Sequence, residues 1–259
     1  MLDDLKKIAF NVKKVVEEYL ENDFENAGEF VKMGEDGTPT TNIDIVAENE
    51  VIEYIKDKDL PVNLLSEEYG FMDRNYERTL ILDPIDGSFN AENNIPIFSI
   101  SLAVAKEGLN DLEYAFLLNI SNGKYYWAEK GKGAYFMETR LPRIKSNKVV
   151  SAIRLGKESD EKVFEIIKNS NKVRSLGCSS LEMAMVAEGS ISFFLYYKKN
   201  YGILRITDIA ASVLILRESG GQVYDPDTME LLNMKLNVKE RKNVVASLDR
   251  NIIKRLWGK

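Results

Sequence analysis

The chain of 259 residues contains no histidine and a single cysteine, Cys178. The absence of histidine excludes nucleophilic catalysis by a Ser-His or Cys-His pair, and it excludes histidine-ligated metal sites. One cysteine excludes an intrachain disulfide and fits a reducing compartment. If this chain is an enzyme, it must therefore work with carboxylates, hydroxyls, lysines, backbone amides or a hard metal ion.

Long apolar runs and basic clusters are also absent. No run approaches the roughly 20 apolar residues that a membrane-spanning helix needs. The N-terminal segment MLDDLKKIAF is charged and lacks the apolar core of a signal peptide. The net charge is −6 without a block of Lys and Arg, so we expect neither a nucleic acid nor a membrane as partner. A cytoplasmic location is expected.

The length and the apolar fraction of 44% allow one domain over 1–259 with a substantial core, built from two intimate subdomains at about 1–145 and 146–259. Helical spacing of apolar residues predicts a helix from Leu2 to Leu20 and another over Asp44–Lys58. The glycine-containing stretch Gly28–Thr41 between them is typical of a loop or a loose hairpin.

Strands dominate the next part of the chain, and strands alternate with helices after Lys145–Lys148. The first group of predicted strands is Val62–Ser66, Thr79–Asp83, Phe98–Ala105, Tyr114–Leu118, Tyr125–Glu129 and Ala134–Met137. The second group is strand Val149–Arg154, helix Glu158–Asn169, strand Val173–Leu176, helix Ser180–Glu188, strand Ile191–Tyr197, helix Thr207–Gly220, strand Asn243–Ser247 and a last helix. This order predicts a layered α/β architecture with two sheets.

The segment LILDPIDGSFN, residues 80–90, contains the strongest chemical signal. Its apolar start predicts a short buried strand that ends at Asp83, where Pro84 stops the ladder. Asp86 with the following glycine is typical of a turn, and Ser88 is predicted to begin a helix with free N–H groups. Two carboxylates around a tight turn can converge on one point beside a backbone site for phosphate. Oxygen ligands of this kind select Mg²⁺, Mn²⁺ or Ca²⁺.

Three further acidic segments accompany this turn. Glu67 and Glu68 directly follow a predicted buried strand, whereas Asp44 and Asp208 stand at predicted helix starts. Each has an ordinary structural interpretation, because adjacent glutamates are commonly a solvated pair and aspartates commonly cap helix N-termini. Helix starts are also where anions and their metal ions gather in α/β proteins, so a shared metal site is the competing interpretation.

The segments LSEEYG, LDPIDGSFN and ITDIAASVLILRESGG, in this order and spacing, resemble the inositol monophosphatase family, which belongs with the fructose-1,6-bisphosphatases and other lithium-sensitive phosphomonoesterases. WAEKGKGAYF and SLGCSSLEMAMVAEG extend the resemblance over most of the chain. It implies an α-β-α-β-α sandwich of the sugar-phosphatase type, with the site where the two sheet halves meet. It also implies a homodimer.

The resemblance implies Mg²⁺ as the cofactor, with Mn²⁺ as a substitute and Li⁺ as an inhibitor. Glu67, Asp83 and the carbonyl of Ile85 would hold one ion. Asp83, Asp86 and Asp208 would hold a second, with Asp83 bridging the two. A weaker third ion would use Glu67 and water.

The resemblance also implies how the reaction proceeds. Asp44, paired with the hydroxyl of Ser88 or Thr41, would orient or deprotonate a metal-activated water for in-line displacement without a phospho-enzyme. The implied catalytic residues are Asp44, Ser88, Glu67 and Thr41. The implied substrate contacts are Asp86, Gly87, Ser88, Arg174, Ser179 and Lys198.

The sequence departs from the family pattern at three places. The family usually has Thr at the position of Ser88, and many members have Thr at the position of Ile43. No acidic residue lies between Tyr196 and Thr207, where animal members carry a Glu that holds inositol hydroxyls. The cations in this segment are Lys198, Lys199 and Arg205. In this respect the segment is similar to that of archaeal members that accept both inositol phosphate and fructose 1,6-bisphosphate. The three cations would suit a substrate with a second phosphate, and the alternative is that they form a solvated edge.

These observations predict a phosphomonoesterase that acts on inositol-1-phosphate, fructose 1,6-bisphosphate or both. One alternative is a phosphatase of adenosine 3′,5′-bisphosphate or NADP. A non-enzymatic alternative is an inactive relative that binds a phosphosugar or metal as a regulator. We also expect the loop Gly28–Thr41 to set the affinity for the third ion and for lithium.

Overall fold

The computed structural model describes residues 1–145, 147–157 and 159–258. The helices are α1 (Leu2–Asp23), α2 (Asn42–Asp57), α3 (Ser88–Glu92), α4 (Glu161–Asn169), α5 (Ser179–Glu188), α6 (Ile206–Glu218) and α7 (Arg250–Trp257), with a 3-10 turn at Phe24–Asn26. The strands are β1 (Phe30–Met33), β2 (Pro39–Thr41), β3 (Asn63–Ser66), β4 (Gly70–Met72), β5 (Thr79–Asp86), β6 (Ser99–Ala105), β7 (Tyr114–Asn119), β8 (Tyr125–Glu129), β9 (Gly133–Phe136), β10 (Thr139–Arg140), β11 (Val150–Ile153), β12 (Lys172–Arg174), β13 (Phe193–Tyr196), β14 (Gln222–Tyr224) and β15 (Val244–Ser247).

An eight-stranded sheet has the order β10-β9-β8-β7-β6-β5-β3-β4. Its neighbours are antiparallel except for β3 and β5, which are parallel. Alternation along β5 places Leu80 and Leu82 in one apolar core and Ile81 in the other, as expected for a strand covered on both faces.

A five-stranded sheet has the order β12-β11-β13-β15-β14. Strands β12, β11 and β13 run parallel to one another, whereas β15 is antiparallel to both of its neighbours, β13 and the edge strand β14. The parallel part follows from the alternation of strands and short helices along this half of the chain.

Helices form three layers around the two sheets. Val12 of α1 shares a core with Leu82 on the outer face of the large sheet. Ile209 of α6 lies between the sheets, and Ile166 of α4 packs with Phe193 on the outer face of the small sheet. This arrangement confirms the predicted α-β-α-β-α sandwich.

The central helix α6 is buried along nearly its whole length. Of its 13 residues, the 11 from Ile206 to Leu216 are buried. Such a helix is apolar all around because it is covered by protein on every side. It therefore provides a rigid base for any side chain at its N-terminus.

Several element boundaries differ from the predictions. Gly28–Thr41 contains the antiparallel hairpin β1–β2, in agreement with the hairpin alternative. Pro84 does not end β5, because a bulge between Asp83 and Asp86 lets Asp86 pair again with Ser99.

Short elements account for the other differences. The three-residue edge strands β4 and β14 were not predicted. The predicted start of α4, Glu158, lies outside the described residues, and the helix begins at Glu161. The two sheets use residues up to Arg140 and from Val150 onward, and the division into subdomains at 146 stays a prediction. In the described part of the chain, no helix has the length and apolarity to cross a bilayer.

Candidate active site

Three buried carboxylates meet at one edge of the large sheet. Glu67 directly follows β3, and Asp83 lies near the end of β5, which runs parallel to β3. Asp208 is supplied by the first turn of α6. One oxygen from each carboxylate lies within 4.8 Å of the others. Because the carboxyl ends of parallel strands share a sheet edge, the topology explains why residues far apart in sequence converge here.

The electrostatics of this cluster favour a bound cation. Burial raises the pKa of Glu67 well above its usual range, and the charges of Asp83 and Asp208 raise it further. Burial likewise raises the pKa of Asp83, with the charge of Asp86 as the next cause. Buried like charges are unfavourable unless a counter-charge joins them. The set consists only of oxygen donors and fits Mg²⁺ or Mn²⁺.

Asp86 lies at the start of α5 as well as at the end of β5. Its Oδ2 accepts hydrogen bonds from the backbone N–H of Ser180 at 2.6 Å, from the Ser180 hydroxyl and from the thiol of Cys178 at 3.2 Å. Burial raises the pKa of Asp86 to about 6, while the bonds from Ser180 oppose that shift. The N-terminus of α5 thus fixes the position of the Asp86 carboxylate.

The turn after Asp86 has the predicted form. Gly87 has φ of 91°, and a Cβ there would approach the carbonyl oxygens of Gly177 and Ile97 to 3.1 Å. Glycine is therefore required both by the left-handed backbone and by the close packing. Ser88 begins α3, as predicted, and its hydroxyl donates to the carbonyl oxygen of Ile85 at 3.1 Å.

Asp44 is the third residue of α2 rather than its N-cap, so that structural interpretation was wrong. Thr41 is the N-cap, and its backbone N–H and hydroxyl donate to Oδ2 of Asp44 at 2.9 and 2.7 Å. This is a capping box in which Asp44 takes the reciprocal position. Burial raises the pKa of Asp44, and hydrogen bonds from Thr41 and Ser88 partly oppose the shift.

The same correction applies to Asp208, which is the third residue of α6 with Arg205 at the N-cap. The solvated-pair interpretation of Glu67 and Glu68 was also wrong, because both are buried. Glu68 accepts a hydrogen bond from Thr40, and burial raises its pKa to about 7. The acidic region is therefore larger than the three carboxylates that converge.

Arg205 lies among the carboxylates and also lines the cavity beside them. Its Nε donates to Oδ1 of Asp208 at 2.9 Å, and its Nη2 lies 3.0 Å from Oε1 of Glu67. Its Nη1 forms an ion pair with Asp36, which lies in the β1–β2 hairpin. Arg205 supplies one positive charge to a site that otherwise contains acidic side chains.

Comparison with known proteins identifies the family of the chain. The family model for the inositol monophosphatase family matches residues 1–258. The chain belongs to the inositol monophosphatase family.

Several relatives of this chain are archaeal proteins. A Methanothermobacter thermautotrophicus protein named fructose-1,6-bisphosphatase/inositol-1-monophosphatase is 38% identical over 239 residues, 86% of this chain and 84% of that protein. A Methanococcus maripaludis protein named bifunctional NADP phosphatase/NAD kinase is 32% identical over 94% of this chain, which corresponds to 47% of that longer protein. A solved Pyrococcus horikoshii structure, described as hypothetical with similarities for inositol-1 monophosphatase, has a TM-score of 0.83, 30% identity and coverage of 100% and 98% of the two chains.

A cavity of about 350 Å³ opens beside the carboxylates of this family member. Asp86 and Asp208 line one side, and Ser179 lines it as the resemblance implied. Arg174 and Lys198 are not among its lining residues. Arg174 instead donates to the carbonyl oxygen of Val173 at 2.8 Å, and the ammonium of Lys198 lies 4.9 Å from the ring centre of Tyr201.

Sequence reasoning missed other residues around the site. Arg154, Ser175 and Tyr196 line the cavity at the carboxyl ends of β11, β12 and β13. The general rule that ligands bind at the carboxyl ends of parallel strands would have found them once the strand order was known. Asp36 was missed because it lies in a polar loop, where an aspartate next to glycine is typical of a turn.

Proposed function

We propose that this chain, a phosphatase of the inositol monophosphatase family, hydrolyses phosphate monoesters of small polyols or sugars with the help of divalent metal ions. The observation that carries the proposal is the convergence of Glu67, Asp83 and Asp208, whose carboxylate oxygens lie within 4.8 Å of one another. Arg205 supplies one positive charge to these three carboxylates, and the negative charge that remains, together with the oxygen donors, suits a hard cation.

Mg²⁺ is the proposed cofactor, in two or three ions, with Mn²⁺ as a substitute. The proposed ligands are Glu67, Asp83, the carbonyl oxygen of Ile85, Asp86 and Asp208. Bound Mg²⁺ would lower the pKa of a water molecule and stabilise the oxygen that leaves the phosphorus. The charge of Asp83 raises the pKa of Glu67, and the charge of Asp86 raises the pKa of Asp83, which favours Asp83 as the shared ligand.

The chain's own groups would handle the water and the phosphate. Asp44 is fixed by two hydrogen bonds from Thr41, and its carboxylate would orient the attacking water and accept its proton. Its raised pKa makes it a stronger base than an exposed aspartate. Backbone N–H groups of Gly87 and Ser88 would hold the phosphate at the left-handed turn.

The proposed substrates are inositol-1-phosphate and fructose 1,6-bisphosphate. The Methanothermobacter relative carries both activities in its name. Arg154 is exposed and lines the same cavity as Asp86 and Asp208. Its guanidinium would bind a second phosphate by paired hydrogen bonds.

NADP is a second candidate substrate, with adenosine 3′,5′-bisphosphate as a related one. The observation that favours it is the Methanococcus relative named as an NADP phosphatase, which is 32% identical over 94% of this chain. The non-enzymatic alternative, a regulator that binds a phosphosugar without turnover, predicts no phosphate release from any of these compounds.

A substrate panel tests the proposal. Phosphate release is measured from inositol-1-phosphate, fructose 1,6-bisphosphate, NADP and adenosine 3′,5′-bisphosphate, with Mg²⁺ and again with EDTA. We expect the highest kcat/KM for one of the first two and no turnover with EDTA. A higher kcat/KM for NADP would favour the second candidate, and turnover that persists in EDTA would contradict the metal site.

We further propose that the protein acts in the cytoplasm as a homodimer and is inhibited by lithium. The β1–β2 hairpin would set the affinity for the third ion and for lithium, because Asp36 at its tip approaches the carboxylates through Arg205. Light scattering after gel filtration gives the oligomeric state. Lithium inhibition that is unchanged after shortening of the hairpin would contradict the role of this segment.

A further inference from the structure

The β1–β2 hairpin has few apolar contacts that could hold it in place. All four residues of β1 are exposed, and the exposed fractions of Phe30 and Met33 are 59% and 56%. At the tip, by contrast, the side chain of Asp36 is fully buried. The position of the hairpin therefore depends on polar contacts, which are those at its tip and those of Lys32 and Thr40 with Glu68, since little hydrophobic burial stabilises it.

Asp36 first closes the turn of the hairpin itself. Its Oδ1 accepts from the backbone N–H of Thr38 at 2.8 Å, and its Oδ2 accepts from the Thr38 hydroxyl at 2.6 Å. Its backbone N–H donates to the carbonyl oxygen of Glu67 at 3.2 Å. The tip is thus already adjacent to the end of β3.

Two arginines from the C-terminal half reach this tip. Arg205 forms an ion pair with the carboxylate of Asp36, and Arg241 donates from Nη2 to the backbone carbonyl oxygen of Asp36 at 3.2 Å. Arg205 has the shorter contact to the carboxylate, because Arg241 lies 3.9 Å from Oδ2. Arg205 also stands at the N-cap of α6, the helix that both sheets bury.

The same guanidinium contacts two of the proposed metal ligands through its other nitrogens. Nη2 lies 3.0 Å from Glu67 and 2.8 Å from Asp208, and Nε donates to Asp208 at 2.9 Å. A planar fork with several fixed N–H directions can contact three carboxylates at once, which a lysine ammonium does less well. The side chain is only 13% exposed, so water cannot readily replace these hydrogen bonds when they are lost.

We propose that Arg205 is a positioning residue that fastens the hairpin tip to Glu67 and Asp208. The hairpin leads directly into Thr41, which holds Asp44, so a fastened tip places the proposed base of the reaction relative to the metal ligands. The effect on turnover rests on the proposed function, whereas the effect on the hairpin does not.

Hydrogen exchange of the backbone amides in residues 30–41 tests the proposal without any reaction. The variants are Arg205→Met, Asp36→Asn and the double variant, measured by mass spectrometry with and without Mg²⁺. Each single variant is expected to raise exchange in this segment about tenfold, because each removes the buried ion pair between Asp36 and Arg205 at the hairpin tip. The double variant should be no faster than the faster single variant, since both remove the same contact.

Two further variants separate positioning from general loss of structure. Glu35→Gln changes an exposed acid of the same hairpin and should leave exchange unchanged. Arg205→Lys keeps the charge without the fork and should recover only part of the protection. With inositol-1-phosphate, Arg205→Met and Asp36→Asn should lower kcat about tenfold and change KM less than twofold.

Unchanged exchange in residues 30–41 for both single variants would overturn the proposal. It would also be overturned if the double variant exchanged at the product of the two single effects, because the contacts would then be independent. If the variants show this coupling but the wild-type protein has no phosphatase activity, the proposed function is contradicted and the positioning role of Arg205 still holds.

Discussion

The parallel strands of the two sheets differ in what surrounds their carboxyl ends. In the large sheet, β3 and β5 end at Glu67 and Asp83, which are buried and acidic. In the small sheet, β11, β12 and β13 end beside an open cavity lined by Arg154, Ser175 and Tyr196. The difference indicates a division of labour, in which the dry acidic edge would hold the metal ions and the hydrated edge would select the substrate.

The strongest test of this division is Asp83→Asn. Loss of the shared carboxylate should lower kcat with every substrate by about a thousandfold, because both proposed metal ions lose a charged ligand. The measurement is phosphate release at saturating Mg²⁺. Asp57→Asn, an exposed acid at the end of α2, is the matched control and should keep wild-type turnover. Full activity of Asp83→Asn would make the acidic edge irrelevant to the reaction.

A pH test examines Glu182, a buried acid that contacts the lining residue Tyr196. Glu182 accepts from Leu176 N–H and the Tyr196 hydroxyl, and burial raises its pKa to about 7 from an ordinary 4.5. The folded protein then binds this proton more tightly than the unfolded chain. The free energy of unfolding should therefore fall by about 3 kcal/mol from this group as pH rises from about 4.5 to about 7.

Urea unfolding of the wild type and Glu182→Gln at pH 5 and pH 8 measures this contribution. The decrease between the two pH values should be smaller in the variant, since glutamine does not titrate. Glu165→Gln, at an exposed position of α4, should behave like the wild type. The same decrease in all three proteins would mean that Glu182 does not titrate in this range.

Arg154→Met sharpens the comparison on the substrate side. The kcat/KM for fructose 1,6-bisphosphate should fall about tenfold to thirtyfold, because a charge-assisted hydrogen bond to the second phosphate is lost. The value for inositol-1-phosphate should change less than twofold. Arg174→Met and Lys198→Met serve as comparisons, because neither residue lines the cavity. If either of these variants lowers kcat/KM for fructose 1,6-bisphosphate more than Arg154→Met does, the second phosphate does not bind at Arg154.

Ser180→Ala tests the link between the two edges. In this variant Asp86 should keep the hydrogen bond from the backbone N–H of residue 180 and lose the hydrogen bond from the Ser180 hydroxyl. The same hydroxyl also bonds the Ser99 hydroxyl at 2.9 Å. We expect Mg²⁺ affinity, measured by calorimetry, to weaken by about tenfold or less. Ser190→Ala, away from Asp86, is the control. Unchanged affinity in Ser180→Ala would show that the backbone bond alone is sufficient.

The local parts of the site could be predicted because short-range chemistry determines them. The turn at Gly87, the helix start at Ser88 and the hairpin in Gly28–Thr41 follow from turn residues and spacing. The two long N-terminal helices follow from apolar periodicity, and the metal-ligand set came from the family resemblance.

Long-range side-chain placement could not be predicted from the same evidence. Arg154 became recognisable only when the parallel order of β11, β12 and β13 was known. Arg205 was expected either to suit a second phosphate or to belong to a solvated edge. It lines the cavity, but its guanidinium pairs with Asp36, Glu67 and Asp208, because the direction of a long side chain depends on the charges around it. The bulge at Pro84 was missed because a proline can interrupt one ladder bond without ending a strand.

The burial of α6 between the two sheets determines how activity is lost on unfolding or proteolysis. Asp208 and Arg205 stand at the start of a helix that neither sheet can leave without exposing apolar surface. A proteolytic fragment that keeps only one sheet would lose the packing on one side of α6, and this packing orients Asp208 and Arg205. Catalytic competence should therefore disappear in the same step as global unfolding, and nicked or truncated copies should carry no stray activity.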